Sequence, residues 1–126
     1  MSDSIKKYKI LCVDDSKSIH AFLQECLVPV TETIEHAFDG QEAIEKLKLN
    51  LHAFDVIILD WEMPVKDGPT TFNELKLMGL KTPVFMLTSK NNPADILQMI
   101  EAGVAEYMMK PFTADIVIEK IKSILG

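Results

Sequence analysis

Short apolar runs alternate along this chain with longer stretches in which apolar residues recur at a three- to four-residue spacing. The runs are rich in valine, isoleucine and leucine, and they predict five strands, at 8–13, 33–38, 54–59, 83–87 and 105–109. The intervening stretches have the period of a helix that is buried on one side. Because every predicted strand is followed by a predicted helix, the pattern indicates an α/β domain with a doubly wound parallel sheet.

Capping and helix-breaking residues delimit the predicted helices. Ser16 or Asp15 can cap the first helix, which stops before Pro29. Asp39-Gly40 is predicted to form a turn before the second helix, at 41–51. Proline in the first turn and glycine after the last turn are typical helix boundaries. On these signals the other three helices begin near Pro69, Asn92 and Thr113 and end near Gly79, Gly103 and Leu125.

The five βα units occupy residues 1–126, so we expect a single domain without a linker or an output domain. The apolar fraction of 48% is enough to cover a sheet on both faces. No apolar run approaches the roughly 18 residues of a membrane span, and the run after the N-terminal lysines meets Asp14 too soon for a secretory signal. We therefore expect a cytoplasmic protein without membrane insertion.

Charge, cysteine and histidine content disfavour nucleic-acid and zinc binding. The net charge is −6, with 13 lysines and no arginine, whereas nucleic-acid recognition favours basic patches and bidentate arginine. Cys12 lies in the first predicted strand and Cys26 on the apolar face of the first helix, so both are expected to be reduced core residues. They lack the CxxC spacing of zinc sites. The histidines, expected at the surface or half-buried on different elements, are His20, His36 and His52.

Charged residues follow three of the predicted strands. Asp14 and Asp15 come after the first strand, Asp60 after the third, and Lys110 after the fifth. Because the carboxyl ends of parallel strands meet in one crevice, these four groups should converge. Three carboxylates at one place repel each other unless a cation is present. Oxygen ligands suit Mg²⁺, so the sequence predicts an acidic metal pocket with one lysine.

Five motifs, in order, resemble those of the receiver domain of bacterial two-component response regulators, and most closely the stand-alone, CheY-like chemotaxis type. They are Val13-Asp14-Asp15-Ser16, Asp60-Trp61-Glu62-Met63-Pro64, Asp67-Gly68, Leu87-Thr88-Ser89 and Tyr107-Met108-Met109-Lys110-Pro111-Phe112. The resemblance covers the whole chain. It implies a flavodoxin-like (βα)5 receiver fold with strand order 2-1-3-4-5.

The resemblance implies a role for individual residues. Asp60 would accept a phosphoryl group from a histidine kinase or phosphotransfer domain and become an aspartyl phosphate. Thr88 and Lys110 would each bind a phosphoryl oxygen. The ligands of Mg²⁺, for which Mn²⁺ could substitute, would be Asp15 and Asp60 directly, Asp14 mainly through water, and the backbone carbonyl of Glu62.

The resemblance also implies a conformational switch. On phosphorylation, Thr88 would move toward the phosphoryl group and the Tyr107 ring would turn from an exposed to a buried position. This would remodel a face made of the fourth helix, the fifth strand and the fifth helix, which would bind a downstream protein, with the flagellar motor switch as one candidate. The Lys110-Pro111 peptide would be cis. Glu62 and Lys90 would tune the lifetime of the acyl phosphate, and an ion pair between them is one way to restrict water.

Two alternative functions stay open at this stage. The chain could be a phosphate shuttle or sink in a phosphorelay, or a receiver that signals constitutively. A metal-dependent phosphohydrolase would also place acidic residues after parallel strands, and Glu62, two residues after Asp60, could be its general acid. The phosphohydrolase is disfavoured because no insertion supplies a substrate-specificity loop. We therefore expect no turnover of external substrates, only the chain's own phosphorylation and dephosphorylation.

Overall fold

A computed structural model describes residues 7–126 of the chain. Its five strands form a single parallel sheet in the order β2-β1-β3-β4-β5. This confirms the predicted doubly wound, flavodoxin-like receiver fold. The strands are β1 (Tyr8–Val13), β2 (Thr31–Ala37), β3 (Val56–Asp60), β4 (Val84–Thr88) and β5 (Glu106–Met109).

One helix follows each strand, and a polar side chain caps the first turn of each. Each cap satisfies a backbone N–H group that has no partner within the helix. Ser16, Asp39, Asp67, Asn92 and Thr113 are the capping residues, in chain order. The helices are α1 (Lys17–Cys26), α2 (Gly40–Leu49), α3 (Gly68–Leu77), α4 (Pro93–Ala102) and α5 (Ala114–Leu125).

The sheet is buried on both faces because alternate side chains of each strand point to opposite sides. In β1, Leu11 and Val13 belong to the core beneath α2, α3 and α4. Ile10 and Cys12 belong to the core beneath α1 and α5. The same alternation runs through β3 and β4. The side chains between the sheet and the helices therefore form the two cores of the domain.

Several predicted boundaries were wrong by a few residues. β2 begins at Thr31 instead of 33, directly after a short 3-10 helix at Val28–Val30 that contains Pro29. Asp39-Gly40 is not a separate turn, because the Asp39 side chain accepts a hydrogen bond from the backbone N–H of Glu42 and caps α2. Turn and cap use the same residue types, so the local pattern does not separate them.

The side chain of α4 that packs against the rest of the domain is not one that the sequence pattern indicates. The spacing of Ile96, Leu97 and Ile100 in the sequence predicts that these residues form the apolar side of α4, yet Met99 is the buried residue of this helix. Leu97 and Ile100 are more than half exposed, at 55% and 53%. Apolar residues lie around most of the α4 surface, so periodicity alone does not select the side that faces the sheet.

The structure overturns one expectation for the histidines. His20 is buried, and its imidazole contacts that of His36, although the two lie on α1 and β2. His36 is half-buried and His52 is exposed, as expected. Both cysteines are free thiols, Cys12 fully buried and Cys26 half-buried. Within residues 7–126, none of the helices is long and apolar enough to cross a bilayer.

Candidate functional site

The acidic cluster lies at the carboxyl end of the sheet. Asp14 and Asp15 follow β1, and Asp60 is the last residue of β3, the neighbouring strand. One carboxylate oxygen from each of the three residues lies within 4.8 Å of the others. Asp14 and Asp60 are buried, whereas Asp15 is exposed. A cation held by this cluster would therefore keep contact with solvent on the Asp15 side.

Lys110 brings its ammonium group into the same cluster. Its Nζ donates hydrogen bonds to Asp60 Oδ1 at 2.8 Å and to Asp14 Oδ2 at 3.4 Å. The Lys110-Pro111 peptide is cis, as the resemblance implied. Burial by itself lowers the pKa of Lys110, but the hydrogen bond to Asp60 and the charges of Asp14 and Asp60 outweigh burial and raise it. The ammonium is therefore positively charged at neutral pH.

One lysine does not neutralise three carboxylates. Burial raises the pKa of Asp60 to about 6, a shift that the hydrogen bond from Lys110 opposes and the charge of Asp14 reinforces. A nearby cation stabilises the ionised form of such a buried carboxylate. The donor set consists of carboxylate oxygens, which suit a hard divalent ion such as Mg²⁺. The residues present therefore fit the predicted metal.

The two carboxylate oxygens of Asp60 differ in their hydrogen bonds to the described residues. Oδ1 accepts the hydrogen bond from Lys110, whereas Oδ2 accepts none from the part of the chain that the structure describes. No buried side-chain oxygen or nitrogen in residues 7–126 lacks a hydrogen-bond partner. Oδ2 therefore keeps contact with solvent, although Asp60 as a whole is 1% exposed.

Thr88, at the end of β4, is held by Glu62. The Thr88 hydroxyl donates to Glu62 Oε2 at 2.9 Å. Ser89 donates to Glu62 Oε1 from its hydroxyl at 2.8 Å and from its backbone N–H at 3.2 Å. Burial by itself raises the pKa of Glu62, but the hydrogen bonds from Ser89 and Thr88 outweigh it and lower the pKa. The local sequence gives no sign of this contact, because Glu62 lies in the loop after β3 and Thr88 at the end of β4, 26 residues further along the chain.

The suggested ion pair between Glu62 and Lys90 is not formed. Within residues 7–126, the Glu62 carboxylate is occupied by Thr88 and Ser89. The Lys90 ammonium lies instead over the Trp61 ring, 5.7 Å from its centroid. Three short-range donors satisfy the carboxylate better than one exposed lysine on a flexible stem, which explains the preference.

Tyr107 is connected to Thr88 through the backbone of Lys90. The Lys90 N–H donates to Thr88 Oγ1 at 2.9 Å, and the Lys90 carbonyl accepts a hydrogen bond from the Tyr107 hydroxyl. Tyr107 is half-buried and packs against the core beneath α2, α3 and α4. The Thr88 and Tyr107 hydroxyl groups are thus both hydrogen-bonded to the backbone of one residue, Lys90.

Comparisons with known proteins indicate the family to which this chain belongs. Residues 10–122 match the family model described as the response regulator receiver domain. The chain is 31% identical over 114 residues to the transcriptional regulatory protein DltR of Streptococcus agalactiae, which covers 90% of this chain and half of DltR. It thus spans about half the length of that relative.

Two shorter relatives match almost from end to end. The chemotaxis protein CheY of Bacillus subtilis is 31% identical over 120 residues, covering 94% of this chain and 98% of that protein. The structure of the chemotaxis protein CheY4 of Vibrio cholerae superposes with a TM-score of 0.83 at 30% identity, covering 94% and 98% of the two chains. The chain therefore belongs to the response regulator receiver domain family of two-component signalling and is similar to CheY-like stand-alone receivers.

Proposed function

We propose that this receiver is a phosphorylation-dependent signalling module in which Asp60 accepts a phosphoryl group from a histidine kinase or phosphotransfer domain. The observation that carries the proposal is the position of Asp60, beside the Lys110 ammonium and within 4.8 Å of the Asp14 and Asp15 carboxylates. An Asp60 oxygen attacks phosphorus, and the phosphorus–nitrogen bond of the donor phosphohistidine breaks. The donor imidazole keeps the electron pair of that bond.

The chain's own polar groups would stabilise the transferred phosphoryl group. Phosphoryl transfer depends more on positioning and on neutralised oxygens than on a strong base. Lys110 Nζ, already 2.8 Å from Asp60 Oδ1, would pair with one phosphoryl oxygen. Thr88 would donate its hydroxyl to another after releasing Glu62. The attacking oxygen is already ionised above about pH 6, so no general base is needed.

A divalent cation would complete the site. Its protein ligands would be Asp14, Asp15, Asp60 and the backbone carbonyl of Glu62. When bound, Mg²⁺, or Mn²⁺ in its place, supplies positive charge beside the phosphoryl oxygens. The three carboxylates exceed the charge of Lys110, which is why we expect the cation to be required for phosphorylation.

Phosphorylation would reach the surface through Thr88 and Tyr107. Thr88 cannot donate its single hydroxyl hydrogen to Glu62 and to a phosphoryl oxygen at once. Its displacement would disturb the hydrogen bond from Lys90 N–H, and with it the loop whose carbonyl holds the Tyr107 hydroxyl. The Tyr107 ring would then move further into the core that it already contacts.

The face formed by α4, β5 and α5 would bind the downstream protein. Apolar side chains on this face remain exposed: Leu97 by 55%, Ile100 by 53%, Ile116 by 44% and Met109 by 38%. A cluster of exposed apolar residues is typical of a protein interaction surface. Since Tyr107 lies on β5, its movement would alter this surface. Chemotaxis, with the flagellar motor switch as partner, is one circuit in which such a module would serve.

The phosphohydrolase alternative is disfavoured by Glu62. A general acid must be protonated near neutral pH. The hydrogen bonds from Ser89 and Thr88 lower the pKa of Glu62, so its carboxyl is ionised and accepts rather than donates. A phosphorelay shuttle would share the chemistry proposed here but would show no partner that prefers the phosphorylated state.

The decisive experiment is intact-mass analysis after incubation with Mg²⁺ and a small acyl phosphate donor. We expect one labile phosphoryl adduct on the native chain and none on Asp60→Asn, which keeps the side-chain shape. Asp115→Asn, an exposed position on α5, is the matched control and should be modified like the native chain. The same adduct on Asp60→Asn would refute the assignment of the phosphoacceptor.

Selective ring labelling tests the switch. The chain has two tyrosines, and Tyr8 lies on β1 with its hydroxyl near the end of α5, away from the acidic cluster. We expect phosphorylation to shift the NMR signals of the Tyr107 ring and to leave those of Tyr8 in place. Unchanged Tyr107 signals in a fully phosphorylated sample would remove Tyr107 from the mechanism.

A further inference from the structure

Three metal-ligating side chains meet beneath α1, on the opposite side of the sheet from α2. Cys12 on β1 is paired in register with His36 on β2, so their side chains leave the same face of the sheet. His20 on α1 packs over both. One ligand atom from each of the three residues lies within 4.8 Å of the others. The fold thus assembles a thiol and two imidazoles from three separate elements.

Both imidazoles have the hydrogen-bond partners that metal-binding histidines use. The Asp14 carbonyl oxygen can only accept, so His20 Nε2, at 2.7 Å, must donate to it. His20 Nδ1 therefore presents a lone pair when the ring is neutral, and it faces His36 Nδ1 at 2.6 Å. His36 Nε2 lies 2.8 Å from the Gln24 side-chain oxygen. Metal-bound histidines usually donate their second N–H in this way, which fixes the ring and the tautomer.

Two of the three side chains also adjoin a cavity at the surface. A surface cavity of about 220 Å³ is lined by His20, Ala21, Gln24, His36 and Phe38. Cys12 is fully buried behind this wall. The cavity is large enough for the water that usually occupies the open position of a three-ligand site. The arrangement therefore has ligands, oriented rings and an adjoining cavity.

We infer that Cys12, His20 and His36 form a second metal site, which takes a borderline-soft divalent cation such as Zn²⁺. Sulfur and imidazole ligands favour Zn²⁺, whereas the carboxylates around Asp60 favour Mg²⁺, so the two sites would select different ions. Binding would form a bond from Cys12 Sγ and from each Nδ1 to the metal. The two Nδ1 atoms, 2.6 Å apart in the metal-free chain, would have to separate to about 3.3 Å, the spacing of neighbouring ligands on a tetrahedral Zn²⁺. The Cys12 thiol proton, and any proton between the two imidazoles, would leave to solvent.

The proposed Zn²⁺ site would be connected to the acidic cluster through the backbone carbonyl of Asp14. His20 holds the carbonyl of Asp14, whose carboxylate belongs to the acidic cluster. A bound cation would fix the His20 ring and so restrain the backbone at Asp14. This connection does not depend on phosphorylation of Asp60, so the inference stands or falls separately from the proposed function.

The test is titration of the full chain with Co²⁺, a spectroscopic substitute for Zn²⁺, in excess Mg²⁺. A thiolate-to-cobalt absorption band reports sulfur ligation, which the acidic cluster cannot supply. We expect one equivalent of Co²⁺ per chain with this band, its loss when Zn²⁺ is added, and a higher melting temperature with Zn²⁺. Absence of the band in the native chain would overturn the inference.

Variants identify the ligands, and those at His36 and Gln24 do so without changing the buried thiol of Cys12. His36→Gln, at a half-buried position, should abolish the band, and Cys12→Ser should do the same if it folds. Gln24→Ala, at an exposed position, removes an outer partner and should weaken Co²⁺ binding by about tenfold or more. Cys26→Ser and His52→Gln are the matched controls and should bind like the native chain. Loss of the band in Cys26→Ser, with retention in His36→Gln, would refute the site.

Discussion

Among single residues, the contact between Glu62 and Thr88 has the clearest kinetic consequence. Glu62 accepts the hydrogen bond from the hydroxyl that a phosphoryl group would need. Burial is the main cause of the raised pKa of Asp60, and the negative charge of Glu62 adds to it. Phosphorylation would have to break this contact. Glu62 is therefore expected to slow entry of the phosphoryl group, in addition to any effect on its loss to water.

We expect Glu62→Gln, and more strongly Glu62→Ala, to raise the initial rate of phosphorylation by a small acyl phosphate. A net hydrogen bond is worth about 1 kcal/mol, which corresponds to a rate increase of about fivefold. The fluorescence of Trp61, the single tryptophan and the neighbour of Asp60, provides the time course. Glu119→Gln, an exposed position on α5, is the control. An unchanged rate in Glu62→Ala would show that this contact does not limit the reaction.

The decay of the acyl phosphate should also depend on Glu62 but not on an ion pair with Lys90. Glu62→Ala is expected to alter the dephosphorylation rate without abolishing phosphorylation, since Asp60 and Lys110 are untouched. Lys90→Ala removes only the side chain over Trp61, whereas the backbone N–H that contacts Thr88 remains. Equal and non-additive effects of the two substitutions on decay would contradict this view.

Asp60 should make the metal-free protein less stable as the pH rises. Its folded pKa is about 6, above the value near 4 of an unfolded aspartate. Between these values the folded chain holds a proton that the unfolded chain has lost, so the free energy of unfolding falls as pH rises and levels off above about pH 6.

Asp60→Asn should remove the fall in the free energy of unfolding that the Asp60 carboxyl causes as pH rises. In a chelating buffer we expect urea denaturation to show the variant more stable than the native chain at pH 7.5, by at most about 3 kcal/mol, and nearly equal to it at pH 4. Asp115→Asn should follow the native pH profile. A native chain whose stability rises from pH 4 to pH 6 more than that of Asp60→Asn would contradict the sign of this effect.

At the scale of elements, the close approach of α2 to α3 and to the loop before α3 depends on Gly40. A Cβ atom at this position would lie 1.9 Å from Thr71 Oγ1 and 2.9 Å from the Lys66 carbonyl oxygen. Thr71 is fully buried and its hydroxyl donates to the Asp67 carbonyl, so it has little room to move. The absence of a side chain at Gly40 is what allows these elements to meet.

Gly40→Ala should therefore destabilise the fold even though alanine favours helices. Overpacking costs about 1–3 kcal/mol, and the gain in helix propensity is about 1 kcal/mol. We expect urea denaturation to show a net loss of up to about 2 kcal/mol in the free energy of unfolding. Gly79→Asn is the matched control, because a side chain there has open space and asparagine tolerates the positive φ of 91°. A Gly40→Ala chain as stable as the native one would show that Thr71 can yield.

At the scale of the whole molecule, Mg²⁺ should stabilise the folded chain through the acidic cluster. A ligand that binds only the folded state raises the free energy of unfolding by an amount that grows with its concentration relative to the dissociation constant. Asp15 is exposed, so Asp15→Asn should fold normally and lose most of the Mg²⁺-dependent rise in melting temperature. Asp115→Asn should keep the full rise. An equal rise in both variants would place the bound Mg²⁺ elsewhere.

The acidic cluster was predictable because its geometry follows from strand ends. Asp14 and Asp60 each follow an apolar run. Neighbouring parallel strands end at the same edge of the sheet, and this does not depend on the conformation of the loops. The contacts of Glu62 and Lys90 were not predictable in the same way. Each side chain lies in a loop with several partners in reach, and the choice depends on distances that local sequence does not encode.

The sequence by itself determined the order of strands and helices, the layered α/β class and the position of the acidic residues at the strand ends. These features follow from hydrophobic period and from capping residues, which act over a few neighbouring positions. Only the tertiary structure decided that Met99, and not Ile100, turns toward the sheet and that Cys12 and His36 meet beneath His20. Those outcomes depend on strand register and helix rotation, which arise from packing between segments distant in the chain.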